Sequence, residues 1–332
     1  MQTRERVPFF LAALSLLLLA SMLLTACGSP TSASNSNGAL TNVSIGLGYI
    51  PDIQFAPFYV AVSKGYYKAA GLNVTLIHGV ETDLFGEMTS GKDTFVFATG
   101  DETLTARSQN LPVVDVSTLY QRYPVSLIVP ANSSIKTLAD LKGHTIGEPG
   151  AFGSTYIGLL ALLHAAGLTT KDVKLESIGF TQVNALRQGR VDAVVGYTNN
   201  EPLQLRRLGM QVRTFDVSDY QPLVSNGIIT TEKTLSSRAS MVHAFVQATL
   251  KGLREVIANP TEALQISTSY IPGMDNTAAM AELQATIPIW QGNGQHPLGY
   301  NDSTTWQEMA QFLVSQKLIP ASLDVSKAYV SS

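Results

Sequence analysis

Val43-Ser44-Ile45-Gly46-Leu47-Gly48-Tyr49 runs directly into Ile50-Pro51-Asp52-Ile53-Gln54-Phe55-Ala56-Pro57-Phe58-Tyr59-Val60-Ala61, and the join between them decides the fold. The first stretch alternates, which predicts a strand. The second carries apolar residues at helical spacing over 55–64 and meets Gly65, a C-cap residue. A strand that hands over to a helix through a short turn is the unit of an α/β sheet. Ligands bind such sheets beyond the C-terminal strand ends. Tyr49, Asp52, Gln54 and Phe55 lie at that handover and are candidate ligand contacts. Strand–helix packing is the alternative for Tyr49 and Phe55, and helix capping the alternative for Asp52.

The same alternation continues outward. Strands are predicted at 74–78, 94–99 and 113–120, with a helix at 84–90 and another opened by Gly100-Asp101-Glu102. A second series starts near Val125, with strands at 126–129, 145–147, 173–177, 191–196 and 211–215. Helices at 154–166, 182–188 and 199–207 separate them. Strands alternating with helices predict parallel sheets. Beyond a last strand at 223–230 the pattern turns helical, over 237–258, 261–270, 277–287 and 303–316. No internal repeat of 20–50 residues is present. Two α/β series joined by crossings at 119–126 and 219–225 predict two lobes with a ligand cleft between them. Residues 41–122 with 226–332 form lobe 1, and residues 123–225 form lobe 2.

The N-terminus carries a different message. Arg4 and Arg6 precede an uncharged apolar run from Val7 to Leu24, which ends in Thr25-Ala26-Cys27-Gly28. A basic start, an apolar core and small residues before a cut describe a secretory signal over 1–26. The stretch Leu24-Thr25-Ala26-Cys27 resembles the bacterial lipoprotein signal, which implies lipid on Cys27. A membrane-spanning anchor is the alternative for so long an apolar run. Cys27 is the only cysteine of 332 residues, which excludes a disulfide framework and a cysteine-based zinc site. Residues 27–40 are rich in Ser, Asn, Thr and Gly and uncharged, as suits a flexible lipidated tether. The folded part is thus expected outside the cytoplasmic membrane and anchored to it. The net charge of −3 gives no basis for nucleic-acid binding.

Three motifs carry a family resemblance. The first is the quoted Tyr49–Ala61 stretch followed by Lys64-Gly65-Tyr66-Tyr67-Lys68-Ala69-Ala70-Gly71-Leu72. The second is Leu138-Ala139-Asp140-Leu141-Lys142-Gly143-His144-Thr145-Ile146-Gly147, and the third Leu186-Arg187-Gln188-Gly189-Arg190-Val191-Asp192-Ala193-Val194. In this order, over roughly 43–320, they resemble the solute-binding proteins of ABC importers in the thiamine-pyrimidine and alkylsulfonate group. The resemblance implies a periplasmic-binding-protein fold, a small-molecule ligand, and a membrane permease with its ATPase as partners of a monomeric binder. Pyrimidine binders of the group have a Trp and a His after the first strand. Tyr49-Ile50-Pro51-Asp52-Ile53-Gln54-Phe55 has neither and is more similar to riboflavin-binding members. That implies riboflavin as a transported ligand, with no resident cofactor. A thiamine-precursor pyrimidine is the alternative ligand.

Other candidate contacts fall at later strand ends or the crossings. Asp101 follows the strand at 94–99 and offers a carboxylate, with a helix cap as the alternative. Tyr120 and Tyr123 sit at the first crossing, where aromatics stack on planar ligands. Gly150-Ala151-Phe152-Gly153-Ser154-Thr155-Tyr156 is a turn into a helix, whose first N–H groups bind oxygen atoms. Ser154 and Thr155 are candidate contacts there, and Tyr156 is the side chain expected to face the ring. Tyr197, Asn199 and Glu201 follow the strand at 191–196. In the group, a Glu matching Glu201 pairs with ring nitrogens. Asn226 and Gly227 follow the second crossing, and Trp290 and Trp306 are expected to pack helices.

Enzyme chemistry finds little footing. The histidines at 78, 144, 164, 243 and 296 show no metal-ligand spacing. Gly153-Ser154-Thr155-Tyr156-Ile157-Gly158 is not a nucleophile elbow. The glycine turn at 150–153 lacks the Lys of a phosphate loop. No catalytic residue and no metal ligand is therefore assigned. An exported enzyme of the same fold and a binder that presents ligand to a membrane sensor remain the readings from other classes.

Overall fold

A computed structural model describes residues 39–331. The signal segment, Cys27 and nearly all of the tether lie outside the described residues. Among the described residues no helix is long and apolar enough to cross a membrane.

Among the described residues ten strands form two five-stranded sheets. The first holds β1 (Thr41–Leu47), β2 (Leu72–His78), β3 (Phe95–Thr99), β4 (Val113–Thr118) and β10 (Asn226–Thr231), in the order β2-β1-β3-β10-β4. The second holds β5 (Val125–Pro130), β6 (Thr145–Glu148), β7 (Lys174–Ser177), β8 (Ala193–Tyr197) and β9 (Val212–Asp216), in the order β7-β6-β8-β5-β9. The helices are α1 (Ala56–Ser63), α2 (Tyr66–Ala69), α3 (Glu81–Thr89), α4 (Gly100–Ser108), α5 (Gly153–Ala165) and α6 (Gln182–Arg187). They continue with α7 (Glu201–Arg207), α8 (Glu232–Ser237), α9 (Ala239–Ala258), α10 (Pro260–Ser267), α11 (Asn276–Gln291) and α12 (Ser303–Ser315).

The sheets are mixed, which corrects the expectation of parallel ones. β1 runs parallel to β2 and β3, and β6 parallel to β7 and β8. β10 is antiparallel to β3 and β4, and β5 antiparallel to β8 and β9. The reason is topological. β5 and β10 are the strands that follow the two crossings. Each enters its sheet from the edge where the other strands end: Val125 pairs with Tyr197, and Asn226 with Thr99. A chain arriving at that edge can only run away from it.

The largest core lies under the first sheet, where α9 packs on α1. Val242, Phe245, Val246, Thr249, Leu253 and Val256 form one buried stripe at helical spacing. Gly252 sits on that stripe because the helices touch there: a Cβ would stand 2.3 Å from the Pro57 carbonyl oxygen. The sequence suggested one helix over 237–258. The chain instead breaks at Arg238 (φ −136°, ψ 34°) and restarts as α9. α11 runs beyond the predicted 277–287, with Pro288 inside its last turn.

A second core lies under the other sheet around α5. α12 contributes Trp306, Met309, Phe312 and Leu313 to it, although the sequence places this segment with the first lobe. Trp290 and Trp306 are both fully buried, Trp290 edge-on to Tyr120 with centroids 6.1 Å apart.

Candidate functional site

The C-terminal strand ends of both sheets face one cavity of about 390 Å³. Ligand pockets usually measure roughly 300–1,000 Å³ and are mostly apolar with a few placed polar groups. One wall comes from the first sheet: the turn Gly48 to Pro51 after β1, then Gln54 and Phe55, His78 to Val80 after β2, Phe97 on β3 and Asn226 on β10. The opposite wall comes from the second sheet: Pro149, Phe152, Ser154 and Thr155 between β6 and α5, Phe180 and Gln182 at the entry to α6, and Tyr197, Asn200 and Glu201 between β8 and α7.

The first wall is built on a half-buried hydrogen-bonded chain. Asp52 caps the turn, its Oδ1 accepting from Gln54 N at 3.1 Å. The Asp52 N–H donates to Tyr59 Oη at 3.3 Å, and Tyr59 Oη lies 3.3 Å from His78 Nε2. His78 Nδ1 lies 3.2 Å from the Tyr49 carbonyl oxygen. A carbonyl only accepts, so Nδ1 carries the proton and Nε2 accepts from Tyr59. Burial lowers the His78 pKa and keeps the ring neutral. Tyr49 is pushed up to about 12 by burial first, and then by the charges of Glu201, Asp52 and Glu282.

The second wall centres on Glu201 at the start of α7. Its Oε2 accepts from the Tyr197 N–H at 2.7 Å. Gly196 makes this fold-back possible: a Cβ there would stand 2.6 Å from Glu201 Oε2. Burial pushes the Glu201 carboxyl up to about 7, against the pull of backbone N–H groups. Tyr197 Oη and Ser154 Oγ are 3.0 Å apart, so β8 and α5 are linked at the cavity surface.

Four apolar side chains stand exposed on the rim. Ile50 is 65% exposed and Val80 48% on the first wall, Phe152 46% and Phe180 63% on the second. Tyr49 and Phe180 meet edge to face across the cleft, with centroids 5.6 Å apart. Below the rim the walls are tied by Asn199 Nδ2, which donates to Thr286 Oγ1 of α11 at 2.8 Å in buried surroundings. Arg207 of α7 pairs with Asp275 at 2.5 Å on the surface.

The structure brings Tyr49, Gln54, Phe55, Ser154, Thr155, Tyr197 and Glu201 together around the cavity. It places the other candidates elsewhere. Asp52 is spent on capping. Asp101 is buried behind the wall, its Oδ1 3.0 Å from Tyr123 Oη. Tyr123 also reaches the Ser154 carbonyl at 3.0 Å, and Tyr120 is enclosed by Phe97 and Trp290. Tyr156 is partly buried and packs against the second core. Asn199 serves the interlobe tie. Instead of Tyr156, Phe152 at the N-cap faces the cleft. Sequence reasoning also passed over Phe180 and His78. His78 ends β2 and Phe180 lies in the loop between β7 and α6, where an aromatic after Gly179 was the available signal.

A family profile described as NMT1/THI5 like matches residues 52–263. The riboflavin-binding protein RibY of Chloroflexus aurantiacus is 38% identical, with 97% of each chain covered. A formylaminopyrimidine-binding protein of Halalkalibacterium halodurans is 29% identical, with 90% of this chain and 91% of that one covered. More distant relatives, from Legionella pneumophila and Aspergillus parasiticus, are 22% and 28% identical and are named 4-amino-5-hydroxymethyl-2-methylpyrimidine phosphate synthases. Among solved structures, the periplasmic aliphatic sulphonate binding protein SsuA of Escherichia coli superimposes with a TM-score of 0.71 at 16% identity, covering 88% of this chain and 92% of that one. The fold is that of periplasmic binding proteins, with two α/β lobes around a cleft.

Proposed function

The chain belongs to the NMT1/THI5-like family, and on that premise we propose that it captures a flat heterocyclic vitamin, riboflavin, for an ABC importer. The reading is of an exported lipoprotein, held to the membrane through lipid on Cys27 and acting as a monomer. It delivers its ligand to a permease driven by an ATPase. The ligand binds without being turned over.

The observation that carries this reading is the aromatic, largely apolar cavity between the two sheets, in a chain 38% identical along nearly its whole length to a riboflavin-binding protein. Phe152, Phe180, Tyr49 and Tyr197 offer ring faces and edges. Ser154, Thr155, Gln182, Asn200 and Glu201 offer the polar partners that a flavin edge and a polyhydroxyl chain require.

Titration of riboflavin with the purified protein tests it. Flavin emission is expected to fall saturably at micromolar protein, and mass spectrometry should return the ligand unchanged. Unchanged emission would overturn the riboflavin reading, and a chemically altered ligand would point to an enzyme. The pyrimidine-binding relative supports a second reading, a thiamine-precursor pyrimidine. Calorimetry with such a pyrimidine decides between the two.

A further inference from the structure

The cavity wall is one-sided in charge. Among the described residues that line it there is no Lys or Arg, and the carboxyl among them is that of Glu201. Burial lowers the His78 pKa and so favours the neutral ring, against the opposing pull of the Tyr49 carbonyl and of Asp52. Behind the wall the field has the same sign as a carboxylate. Asp52, in the turn before α1, raises the Tyr49 pKa together with Glu201, whereas Glu282, on α11, is itself pushed up to about 10 by burial and by Asp52 and is uncharged at pH 8. Glu201 has the backbone N–H of Tyr197 as a partner and no cation within ion-pair distance. A phosphate or sulfonate in this cavity would lose its hydration, meet no guanidinium or ammonium, and share a dry space with a carboxylate.

We propose that the cleft selects the uncharged form of its heterocycle and rejects phosphorylated or sulfonated derivatives, with Glu201 as the residue that sets this selectivity. The proposal rests on the heterocycle reading above and sharpens it to a charge class. One feature of the wall opposes it: the first turn of α5 presents N–H groups near Ser154 and Thr155, and helix starts of this kind hold anions. Yet the Ser154 hydroxyl is engaged with Tyr197. Like-charge juxtaposition in a desolvated site costs more than the attraction of one helix start returns.

The test compares riboflavin with its 5′-phosphate, and a thiamine-precursor pyrimidine with its phosphate, by calorimetry at pH 8, where Glu201 is charged. For the wild type, the uncharged member of whichever pair binds should be tighter by about 100-fold. Glu201→Gln keeps the acceptor for Tyr197 N and removes the charge, so the ratio within the pair should fall to about tenfold or less. Reading the ratio cancels any affinity that both members lose. Gln54→Lys adds a cation at a half-exposed wall position and should shrink the ratio even if Glu201→Gln fails to fold. Equal binding of both members by the wild type would overturn the charge selection and leave the vitamin reading standing. An unchanged ratio in a folded Glu201→Gln protein would overturn the role of Glu201. Absence of binding by every compound would overturn the vitamin reading and this inference with it.

Discussion

The two walls of the cleft are made of similar residues and held in different ways. On the first wall, Tyr49 is anchored through its own carbonyl to His78, which is tied through Tyr59 to Asp52. Tyr59 in turn stacks on Tyr270 at 4.4 Å, inside the largest core. On the second wall, Phe152 and Phe180 project from glycine-flanked turns, with Gly153 at φ 67° and Gly179 at φ 57°. The Phe152 N–H closes a tight turn onto the Gly150 carbonyl at 2.6 Å. One wall is pre-organised by the fold, whereas the other offers aromatic area that the fold does not itself consume. A rigid wall sets the ligand's register, and exposed rings gain their burial only when a ligand arrives.

The sharpest way to break this contrast is to truncate one ring on each wall. Phe55 is 2% exposed and packs against Phe97 and His78. Phe55→Ala should cost about 3–5 kcal/mol of stability, the usual range for a buried aromatic. Phe180→Ala should leave the unfolding midpoint within about 0.5 kcal/mol of wild type. The same variant should raise the ligand off-rate about tenfold, the effect of one lost aromatic contact with its share of buried area. Urea unfolding and stopped-flow release measure both. Equal stability losses for the two variants would show that the walls are built alike.

The sequence reveals the two walls unequally for the same physical reason. Strand and helix order is legible because buried strands and amphipathic helices leave apolar patterns of different period. Strand direction is not a local property. Whether β5 and β10 run with or against their neighbours depends on the edge at which the chain enters, and no residue inside Val125–Pro130 encodes that. The first wall is legible because Tyr49, Gln54 and Phe55 follow a strand in direct succession. The second wall turns on one helical position. Tyr156 and Phe152 are four residues apart and both precede or open a helix, and only the start at Gly153 decides which faces the cleft. Asp101, Tyr120 and Tyr123 are at the right strand end and crossing but one layer too deep.

That deeper layer joins the two walls, and acidity should expose it. Tyr123 Oη stands 3.0 Å from both Asp101 Oδ1 and the Ser154 carbonyl, two acceptors for one hydroxyl proton. A protonated Asp101 resolves the competition by donating to Tyr123, which then donates to Ser154. Burial, reinforced by the charge of neighbouring Glu102, pushes Asp101 up to about 7. A carboxyl whose folded pKa is raised contributes stability that is fully present below its ordinary range and lost as pH rises through the folded value. Asp115 is pushed up to about 7 by burial within the first lobe alone. Stability should therefore fall between about pH 4 and 7, and Asp101→Asn should remove about 1–3 kcal/mol of that fall. Asp101→Asn and Asp115→Asn compared by denaturation at pH 4.5 and 8 separate the interlobe joint from the intralobe one. Only the first should also shift ligand affinity with pH.

The smallest expected effect concerns the outermost tie. Arg207 and Asp275 join α7 to the start of α11 at 2.5 Å, but their side chains are 44% and 54% exposed. Asp275 also caps α11, accepting from Thr277 N and Ala278 N, so its own removal would confound a test of the pair. Arg207→Ala isolates it. Exposed ion pairs contribute roughly 0–1 kcal/mol and are screened at physiological salt. The variant should change stability by less than about 0.5 kcal/mol and ligand affinity by less than about twofold. Asn199 bridges the same two segments from inside, where its amide donates to Thr286 without competition from water. Asn199→Ala leaves the Thr286 hydroxyl its bond to the Glu282 carbonyl, so the loss should be about 1 kcal/mol, that of one buried hydrogen bond. If Arg207→Ala proves the more damaging, closure of the cleft is governed by surface charge, and affinity should then fall steeply with added salt.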